Sequence, residues 1–403
     1  MKIAHALLLS LLLSLITVGC RKTYTPEEYL QVTLNNLEKI ASATYYEQME
    51  TWAPYDTLSV SRYNRFIKEF DNPADTTIGA SYLALNVEDT TIVEYCYDGT
   101  VRLLIYPEHN GVKIDDFSTY TPLFRPVPPP FFNYTKSILR YMLATQDNID
   151  IESEESADHY YYKLTINEDR QVEFFGRAHY MPDNSQFYGE TTSVYKLWVR
   201  KSTGLPYKIQ REMSHNVSAT TCLTEPEINK LSAEGFTAYD YIPQNYEVRK
   251  YGETANTPTI DNLIGQTAPR WTLTDMDENM VSSTTIKSKV VLLNFTGIGC
   301  GPCLASIPFL VSLKEKYSTD DLELVAFECW KRPPSSLRAY AKEHKMNYPF
   351  LCATDELLQD FQTGRGVPVY VLLDENRIVR KIFTGYGSET SDKQITDAIN
   401  RLL

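Results

Sequence analysis

The sequence predicts two folded domains, an α+β domain built on an antiparallel sheet with helices and, after it, an α/β domain. Tyr-, Thr- and Val-rich strands separated by turn residues precede residue 256, whereas short buried strands alternate with helical spacing after residue 264. A length of 403 residues suits two or three domains. Aromatic residues make up 12% of the chain, which excludes intrinsic disorder as its main state.

Charge is distributed unevenly between these two parts. The chain carries 39 Lys and Arg against 52 Asp and Glu, a formal net charge of −13. Residues 21–263 hold 22 basic and 35 acidic residues, whereas residues 264–403 hold 16 and 17. An acidic domain therefore precedes a near-neutral one. The sequence shows no basic cluster that could neutralise phosphates, so we expect no nucleic-acid partner.

The amino terminus has the pattern of a secretory signal. An uncharged run of 13 residues, Ala6–Val18, follows Lys2 and is shorter than the roughly 20 residues of a membrane span. The next residues, with Cys20 after Gly19, resemble a bacterial lipobox. This resemblance implies a signal peptide over residues 1–19 and a lipidated Cys20. Acyl chains would hold the protein on the periplasmic side of a bacterial membrane, the outer membrane being favoured. An ordinary signal peptide is the alternative.

The amino-terminal domain begins with a helix and continues mainly as strands. Thr25, Pro26 and Glu28 form a capping-box pattern that predicts the start of the first helix, and 133–145 is the predicted second helix. The pattern of apolar and β-branched residues predicts strands at 91–97, 101–106, 160–166, 171–175, 193–200 and 206–213.

The strand SATYYEQME, the turn at Tyr97-Asp98-Gly99 and the hairpin STGLP loosely resemble the lipoprotein-carrier (LolA/LolB-like) fold. That resemblance implies that residues 20–255 form a curved antiparallel sheet closed by helices, which could hold an acyl chain or an apolar peptide. A spacer or docking platform is the alternative. Apart from Cys20, Cys96 and Cys222 are the only cysteines here, so they are the candidates for one structural disulfide. Residues 256–263 are the predicted linker.

The carboxy-terminal domain carries the chemical motif, C-G-P-C at residues 300–303. It follows a predicted strand at 290–295 and precedes a stretch with helical apolar spacing. A second strand at 322–327, a helix at 334–345 and a hairpin of 369–373 with 378–383 complete the pattern.

At a helix amino terminus free N–H groups favour the thiolate of Cys300, and Cys303 lies one turn further within disulfide reach. A zinc site would need two more ligands at suitable spacing, and the sequence offers none, so no metal is expected. A purely structural disulfide is the other alternative.

The motifs IGQTAPRWTLTDMDENMV, KVVLLNF, CGPC and GVPVYVLLDENRIVRKIFTG occur in the order found in thioredoxin-fold oxidoreductases of the ResA/TlpA type. Residues 264–403 resemble this family, which implies a thioredoxin-like α/β fold. By resemblance Cys300 attacks a disulfide, Cys303 resolves the intermediate, and Pro368 is a cis-proline. The resemblance also implies that Val367 presents its backbone to the substrate, and that no cofactor is needed beyond the redox-active disulfide.

Three positions depart from the family pattern. Gly299 and Thr296 replace aromatic residues, and Ser306 replaces a carboxylate that is thought to assist proton transfer. Glu328 is the candidate proton relay in its place, a structural Glu being the alternative. Cys329 and Cys352 are expected to be buried free thiols rather than a second disulfide.

We therefore expect a membrane-anchored enzyme that reduces disulfides of extracytoplasmic client proteins with electrons from an unidentified donor. The alternative is a ligand- or partner-binding lipoprotein whose redox module is accessory or inactive. A thiol peroxidase is the lesser alternative, because Thr296 lies four residues before Cys300 instead of three.

Overall fold

The computed structural model describes residues 24–53, 61–118, 126–181, 191, 193–251, 253, 260–363 and 366–403. The predicted signal peptide, Cys20 and the first half of the predicted linker, residues 256–259, lie outside these ranges. Among the described helices, none combines the length and the apolar character that a bilayer crossing requires.

The amino-terminal domain is sheet-rich. Its described helices are α1 (Pro26–Leu37) and α2 (Phe131–Ala144), with short 3-10 helices at Pro107–His109 and Ala238–Tyr241. Its described strands are β1 (Ser42–Trp52), β2 (Ser61–Asp71), β3 (Ala80–Leu85), β4 (Val93–Tyr97), β5 (Arg102–Tyr106), β6 (Gly111–Asp115), β7 (Ile149–Glu155), β8 (His159–Ile166), β9 (Val172–Phe174), β10 (Ala178–Tyr180), β11 (Ser193–Arg200), β12 (Pro206–Glu212), β13 (Val217–Cys222), β14 (Glu227–Ile228) and β15 (Glu247–Lys250).

Thirteen of the described strands form one sheet in the order β15-β6-β5-β4-β3-β2-β1-β13-β12-β11-β8-β7, with β14 paired to β1. Neighbours run antiparallel except for the parallel pair β15 and β6. Strands β9 and β10 form a separate pair. The strands expected from sequence are present, with ends that differ by one or two residues. The sheet with its helices agrees with the α+β prediction, whereas the likeness to lipoprotein carriers stays a prediction.

Both helices of this domain pack on the sheet, and each begins where a polar group satisfies its first N–H groups. Thr25 and Glu28 form the expected capping box of α1. Helix α2 follows Pro130, which offers no side-chain cap, so strand β2 supplies one. The Glu69 carboxylate accepts from the N–H groups of Phe132 at 3.2 Å and Asn133 at 2.7 Å. A buried acidic group thus fixes the start of α2.

The structure corrects the expected Cys96–Cys222 disulfide, because both thiols are free. Cys96 lies on β4 and Cys222 at the end of β13, and β3, β2 and β1 lie between those strands. Four steps between neighbouring strands, each about 4.8 Å, separate them by roughly 19 Å. A disulfide joins Cα atoms that are only about 4.4–6.8 Å apart.

The carboxy-terminal domain alternates strands and helices. Its described strands are β16 (Thr272–Thr274), β17 (Met280–Ser282), β18 (Val290–Thr296), β19 (Leu322–Glu328), β20 (Phe350–Cys352), β21 (Val369–Leu373) and β22 (Val379–Thr384). Its described helices are α3 (Gly301–Lys316), α4 (Pro334–Glu343), α5 (Asp355–Asp360) and α6 (Ser388–Asn400), preceded by a 3-10 helix at Ile260–Leu263.

A five-stranded mixed sheet in the order β20-β19-β18-β21-β22 forms the centre of this domain. The run β18-β19-β20 is parallel, and β21 is antiparallel to both of its neighbours. The central strand β18 is buried along its whole length, so successive residues face cores on opposite sides of the sheet. Leu263 is 6% exposed and packs in one of these cores. The carboxy-terminal domain therefore begins before the expected end of the linker.

Candidate active site

The C-G-P-C motif lies where the sequence predicts it, between the central strand β18 and helix α3. Cys300 is the N-cap of α3, and it forms a disulfide with Cys303, their Cα atoms lying 5.2 Å apart. The backbone N–H of Cys303 donates to Cys300 Sγ over 3.3 Å. This N–H is one of the donors that a helix leaves unpaired at its amino terminus. Negative charge that develops on the Cys300 sulfur is therefore met by a donor and by the positive end of the helix dipole.

The two sulfurs differ in access and in neighbours. Cys300 is 8% exposed and Cys303 is 1% exposed. The carbonyl oxygen of Val367 lies 3.9 Å from Cys300 Sγ, and the Val367–Pro368 peptide bond is cis. Four residues that sequence reasoning assigned to the site are therefore brought together. Cys300 is the more exposed of the two cysteines.

The loop before the motif is shaped by a close approach that only glycine permits. A Cβ atom on Gly297 would lie 2.7 Å from the indole ring of Trp330. Trp330 follows β19, so the ends of two neighbouring strands pack their loops against each other. The guanidinium of Arg332 donates to the carbonyl oxygen of Ile298 over 3.4 Å. The sequence analysis did not assign Trp330 and Arg332 to the site. An aromatic residue directly after a buried strand could have indicated Trp330.

Glu328 is fully buried at the end of β19, opposite Thr296 of β18. Its carboxylate accepts from three backbone N–H groups, those of Ile298 at 3.3 Å, Trp330 at 3.0 Å and Arg332 at 2.8 Å. Burial raises the pKa of Glu328, and these three donors oppose the rise. The carboxylate thus ties the loop of the motif to the loop after β19. Its expected role as a proton relay stays a prediction.

The other departures from the family pattern are buried polar groups. The Thr296 carbonyl oxygen accepts from the N–H of Cys329 at 2.9 Å. The Ser306 hydroxyl is buried and donates to the carbonyl oxygen of Cys303 over 2.8 Å, within its own helix. The position of Ser306 therefore provides a hydroxyl group within α3 and no carboxylate.

The remaining thiols of this domain are free. Cys329 is buried and Cys352 is half-buried, and burial raises the pKa of Cys329 to about 12. Both agree with the expectation that they form no second disulfide. Within the described ranges, no group of three or more His, Cys, Asp or Glu residues is arranged to hold a metal ion.

The amino-terminal domain contains a cavity of about 290 Å³ between its sheet and helix α2. Two ion pairs line it, Arg65 with Glu47 at 2.7 Å and Arg211 with Glu173. The rest of the wall is mainly apolar and aromatic, and it includes Met49, Ile67, Tyr82, Phe131, Tyr134, Phe174 and Phe175. The lining combines apolar surface with charged groups that already neutralise each other.

Comparison with known proteins shows what the carboxy-terminal domain is similar to. Residues 263–399 match the family model Redoxin. The chain is 28% identical over 137 residues to the thiol-disulfide oxidoreductase ResA of Geobacillus thermodenitrificans, covering 34% of this chain and 78% of that protein. It is 25% identical over 126 residues to ResA of Bacillus subtilis strain 168, covering 31% and 70%.

A crystal structure of a thiol:disulfide interchange protein of the thioredoxin family from Chlorobium tepidum TLS is 23% identical. The match covers 36% of this chain and 99% of that chain, with a TM-score of 0.29. The sequence relatives confirm the expected ResA/TlpA-like resemblance, and the order of strands and helices is thioredoxin-like.

Proposed function

We propose, from the redoxin domain at residues 263–399, that this chain is a membrane-anchored thiol-disulfide oxidoreductase that reduces disulfides of extracytoplasmic client proteins. One observation carries the proposal. Cys300 caps the helix beside the Val367 carbonyl oxygen and is bonded to a deeply buried Cys303. Relatives named as thiol-disulfide oxidoreductases support the reaction type.

The reaction transfers two electrons from the dithiol to the client. The Cys300 thiolate attacks one sulfur of the client disulfide, so a mixed disulfide forms and the other client sulfur leaves as a thiolate. The thiolate of Cys303 then attacks the Cys300 sulfur, which releases the second client sulfur and forms the Cys300–Cys303 disulfide. The two sulfurs carry the electrons without a further cofactor. An external dithiol or equivalent reductant must reduce Cys300–Cys303 before the next cycle.

The surroundings of the sulfurs support this division of roles. The N–H of Cys303 stabilises negative charge on the Cys300 thiolate before it attacks the client disulfide. Val367 offers a backbone carbonyl oxygen beside the reacting sulfur, where an extended client segment can pair with it. Because Cys303 is almost fully buried, it does not meet a free client. It can act in the second step, since the mixed disulfide on Cys300 forms directly beside it.

The membrane anchor is the part of the proposal that rests on sequence alone. The apolar run before Cys20 and the Gly19-Cys20 pair support lipidation of Cys20 on the extracytoplasmic side. Mass spectrometry of the protein purified from membranes is expected to find a diacylglyceryl group on an amino-terminal Cys20. An unmodified amino terminus at any other residue contradicts the anchor and leaves the redox proposal standing.

Reduction of insulin by the pre-reduced protein tests the redox function. Cys300→Ser is expected to lose the activity, because the attacking sulfur is gone. Cys352→Ser is the matched control, since Cys352 is a free, half-buried thiol on β20 outside the disulfide. Full activity in Cys300→Ser would remove the dithiol from the reaction, and loss in both variants would point to a general effect of thiol removal.

A second function is favoured by the cavity of the amino-terminal domain, the binding of an acyl chain or an apolar peptide. Its volume of about 290 Å³ lies near the lower end of small-molecule sites, which span about 300–1,000 Å³. The aromatic lining suits an apolar ligand. Mass spectrometry of the natively purified full chain is expected to recover such a ligand in a fixed molar ratio.

A pair of variants on one strand makes this test specific. Thr220 on β13 lines the cavity, so Thr220→Trp fills it and is expected to abolish ligand recovery. Thr221→Trp is the control, because adjacent residues of a strand face opposite sides of the sheet. Equal recovery from both variants, or none from the unmodified chain, contradicts the binding function.

A further inference from the structure

A turn of the amino-terminal domain lies close to Gly299, the residue that precedes Cys300. Gly299 has a φ of +96°, a backbone conformation that L side chains rarely adopt. A Cβ atom on Gly299 would lie 3.5 Å from Nδ2 of Asn216 and 3.8 Å from the carbonyl oxygen of His215. Both residues belong to the β12–β13 turn, residues 213–216. The turn therefore lies within van der Waals distance of the position that a Cβ atom on residue 299 would occupy, and the positive φ favours glycine there.

The β12–β13 turn is held in place by several hydrogen bonds. Backbone bonds of 2.9 and 3.3 Å close it between its first and last residues. Arg211 donates to Oδ1 of Asn216 over 3.1 Å. Gln171 donates to the hydroxyl of Ser214 over 3.1 Å. Arg211 is itself fixed by the ion pair that lines the cavity. The turn is thus a rigid feature of the amino-terminal domain.

A second contact comes from the same end of the sheet. Ala53 follows β1, is 2% exposed and belongs to the apolar cluster of the carboxy-terminal domain that includes Ile298. The last residue of β1, Trp52, is paired with Val217, the first residue after the β12–β13 turn. Two neighbouring parts of the sheet end therefore lie against the carboxy-terminal domain.

These contacts restrict the approach to the reacting sulfur. Cys300 is 8% exposed, with the Val367 carbonyl oxygen beside the sulfur and the β12–β13 turn against the preceding residue. Burial, and then the neighbouring Arg211, lowers the pKa of His215 to about 3, so the turn gains no charge from His215 near neutral pH. The β12–β13 turn therefore restricts access to the Cys300 sulfur by its shape, independently of the ionisation of His215.

The geometry points to the β12–β13 turn of the amino-terminal domain as a wall of the client site, one that admits a disulfide on a narrow, extended segment and excludes one on a broad folded surface. This inference rests on the proposed function and names its substrate class. Asn216 is the specificity-determining residue, because its side chain reaches the space above Gly299. It acts by shape, without taking part in the thiol chemistry.

Two reagents of different size test the wall on the full chain carrying Cys303→Ser, whose reduced Cys300 is the thiol to be labelled. Iodoacetamide is the small probe and a maleimide with a polyethylene glycol chain is the bulky one. Chain carrying Cys300→Ser gives the labelling of the other thiols for subtraction. Asn216→Ala shortens the wall and Asn216→Tyr extends it. Asn35→Ala and Asn35→Tyr are matched controls, because Asn35 is exposed on α1.

The ratio of bulky to small labelling rates is expected to rise in Asn216→Ala and fall in Asn216→Tyr, each by about threefold, the size expected of one packing contact. The iodoacetamide rate and the Asn35 variants should stay within about twofold of the parent, since the sulfur itself is unchanged. A constant ratio in both Asn216 variants overturns the wall. Equal shifts with both reagents overturn it too, because they indicate altered thiol chemistry.

The insulin assay separates this inference from the function on which it rests. In the presence of both cysteines, Asn216→Ala should raise insulin reduction relative to reduction of the small disulfide DTNB, and Asn216→Tyr should lower it. A parent chain that reduces neither substrate refutes the oxidoreductase, while the labelling ratio still decides whether the turn limits access. Reduction of both substrates with an unchanged ratio in the variants refutes only the wall.

Discussion

The backbone N–H of Cys303 lies 3.3 Å from the Sγ atom of Cys300 and donates to it. The residue that supplies the second sulfur therefore also supplies a donor for the first. Cys303 itself is 1% exposed, below the 8% exposure of Cys300. This arrangement supports the proposed order of the two steps in disulfide exchange, in which Cys300 reacts with the client and Cys303 then resolves the mixed disulfide.

Cys303→Ser is expected to trap a client on Cys300. The serine keeps the backbone N–H that faces Cys300, so the first attack proceeds, but no thiolate remains to break the mixed disulfide. Non-reducing electrophoresis and mass spectrometry after mixing with insulin should show one insulin chain bound to each protein chain. Cys300→Ser is the control and should bind none. Trapping by Cys300→Ser instead would reverse the assigned roles.

Glu328→Gln is expected to destabilise the carboxy-terminal domain by about 1–3 kcal/mol, the usual cost of leaving a buried polar group unsatisfied. An amide has one oxygen, whereas both carboxylate oxygens of Glu328 accept backbone N–H groups. Urea unfolding measures the loss. Glu315→Gln on the exposed side of α3 is the control and should change stability by no more than about 0.5 kcal/mol.

The same variant separates the two roles of Glu328. A structural role predicts a pH profile of insulin reduction like that of the unmodified protein, measured where both proteins are folded. A proton relay predicts that the profile loses one titration step, because the amide cannot exchange a proton. Unchanged stability together with an unchanged profile would contradict both roles.

Glu69 is expected to make the amino-terminal domain less stable as the pH rises. Burial raises the pKa of Glu69 from 4.5 to about 7, against the opposing hydrogen bonds from Tyr45 and the start of α2. Since the folded state binds the proton more tightly, its stabilising contribution is complete below about pH 4.5 and is lost as the pH rises through 7. At about 1.4 kcal/mol per unit, the loss is about 3 kcal/mol.

Glu69→Gln should remove that part of the pH dependence, because the amide does not titrate. Urea unfolding of the unmodified chain, Glu69→Gln and the exposed control Glu88→Gln at pH 5 and pH 7.5 measures it. The unmodified chain and Glu88→Gln should lose stability between these two values, and Glu69→Gln should lose less. Parallel changes in all three proteins would show that Glu69 does not titrate in this range.

Counting thiols tests the separation of Cys96 from Cys222. Four thiols are free in the described residues, so the oxidised protein should give four on denaturation without reductant. In the native protein Cys352 should react first, because the others are buried. A count of two with Cys96 and Cys222 protected would contradict the structure, and a fifth thiol would identify an unmodified Cys20.

The features that the sequence specified are those carried by neighbours along the chain. The capping box at Thr25, the strand pattern at 193–200 and the C-G-P-C motif before an apolar helical stretch each depend on spacing within a few residues. The buried run at 290–295 likewise predicted the central strand, because both faces of such a strand are covered. Local periodicity and helix capping therefore determined the elements and the reacting pair.

Contacts between distant parts of the chain could not be read in this way. Glu69 caps a helix that starts more than sixty residues later, and three strands separate the cysteines expected to pair. Glu328 binds the loops that follow the neighbouring strands β18 and β19. Nδ2 of Asn216, in the other domain, lies 3.5 Å from the position that a Cβ atom on Gly299 would occupy.

Such contacts depend on strand order and on how the two domains pack, which arise from the burial of the whole apolar surface rather than from any short pattern. The sequence by itself determined which cysteines pair at the start of helix α3. Only the tertiary structure decided what surrounds them.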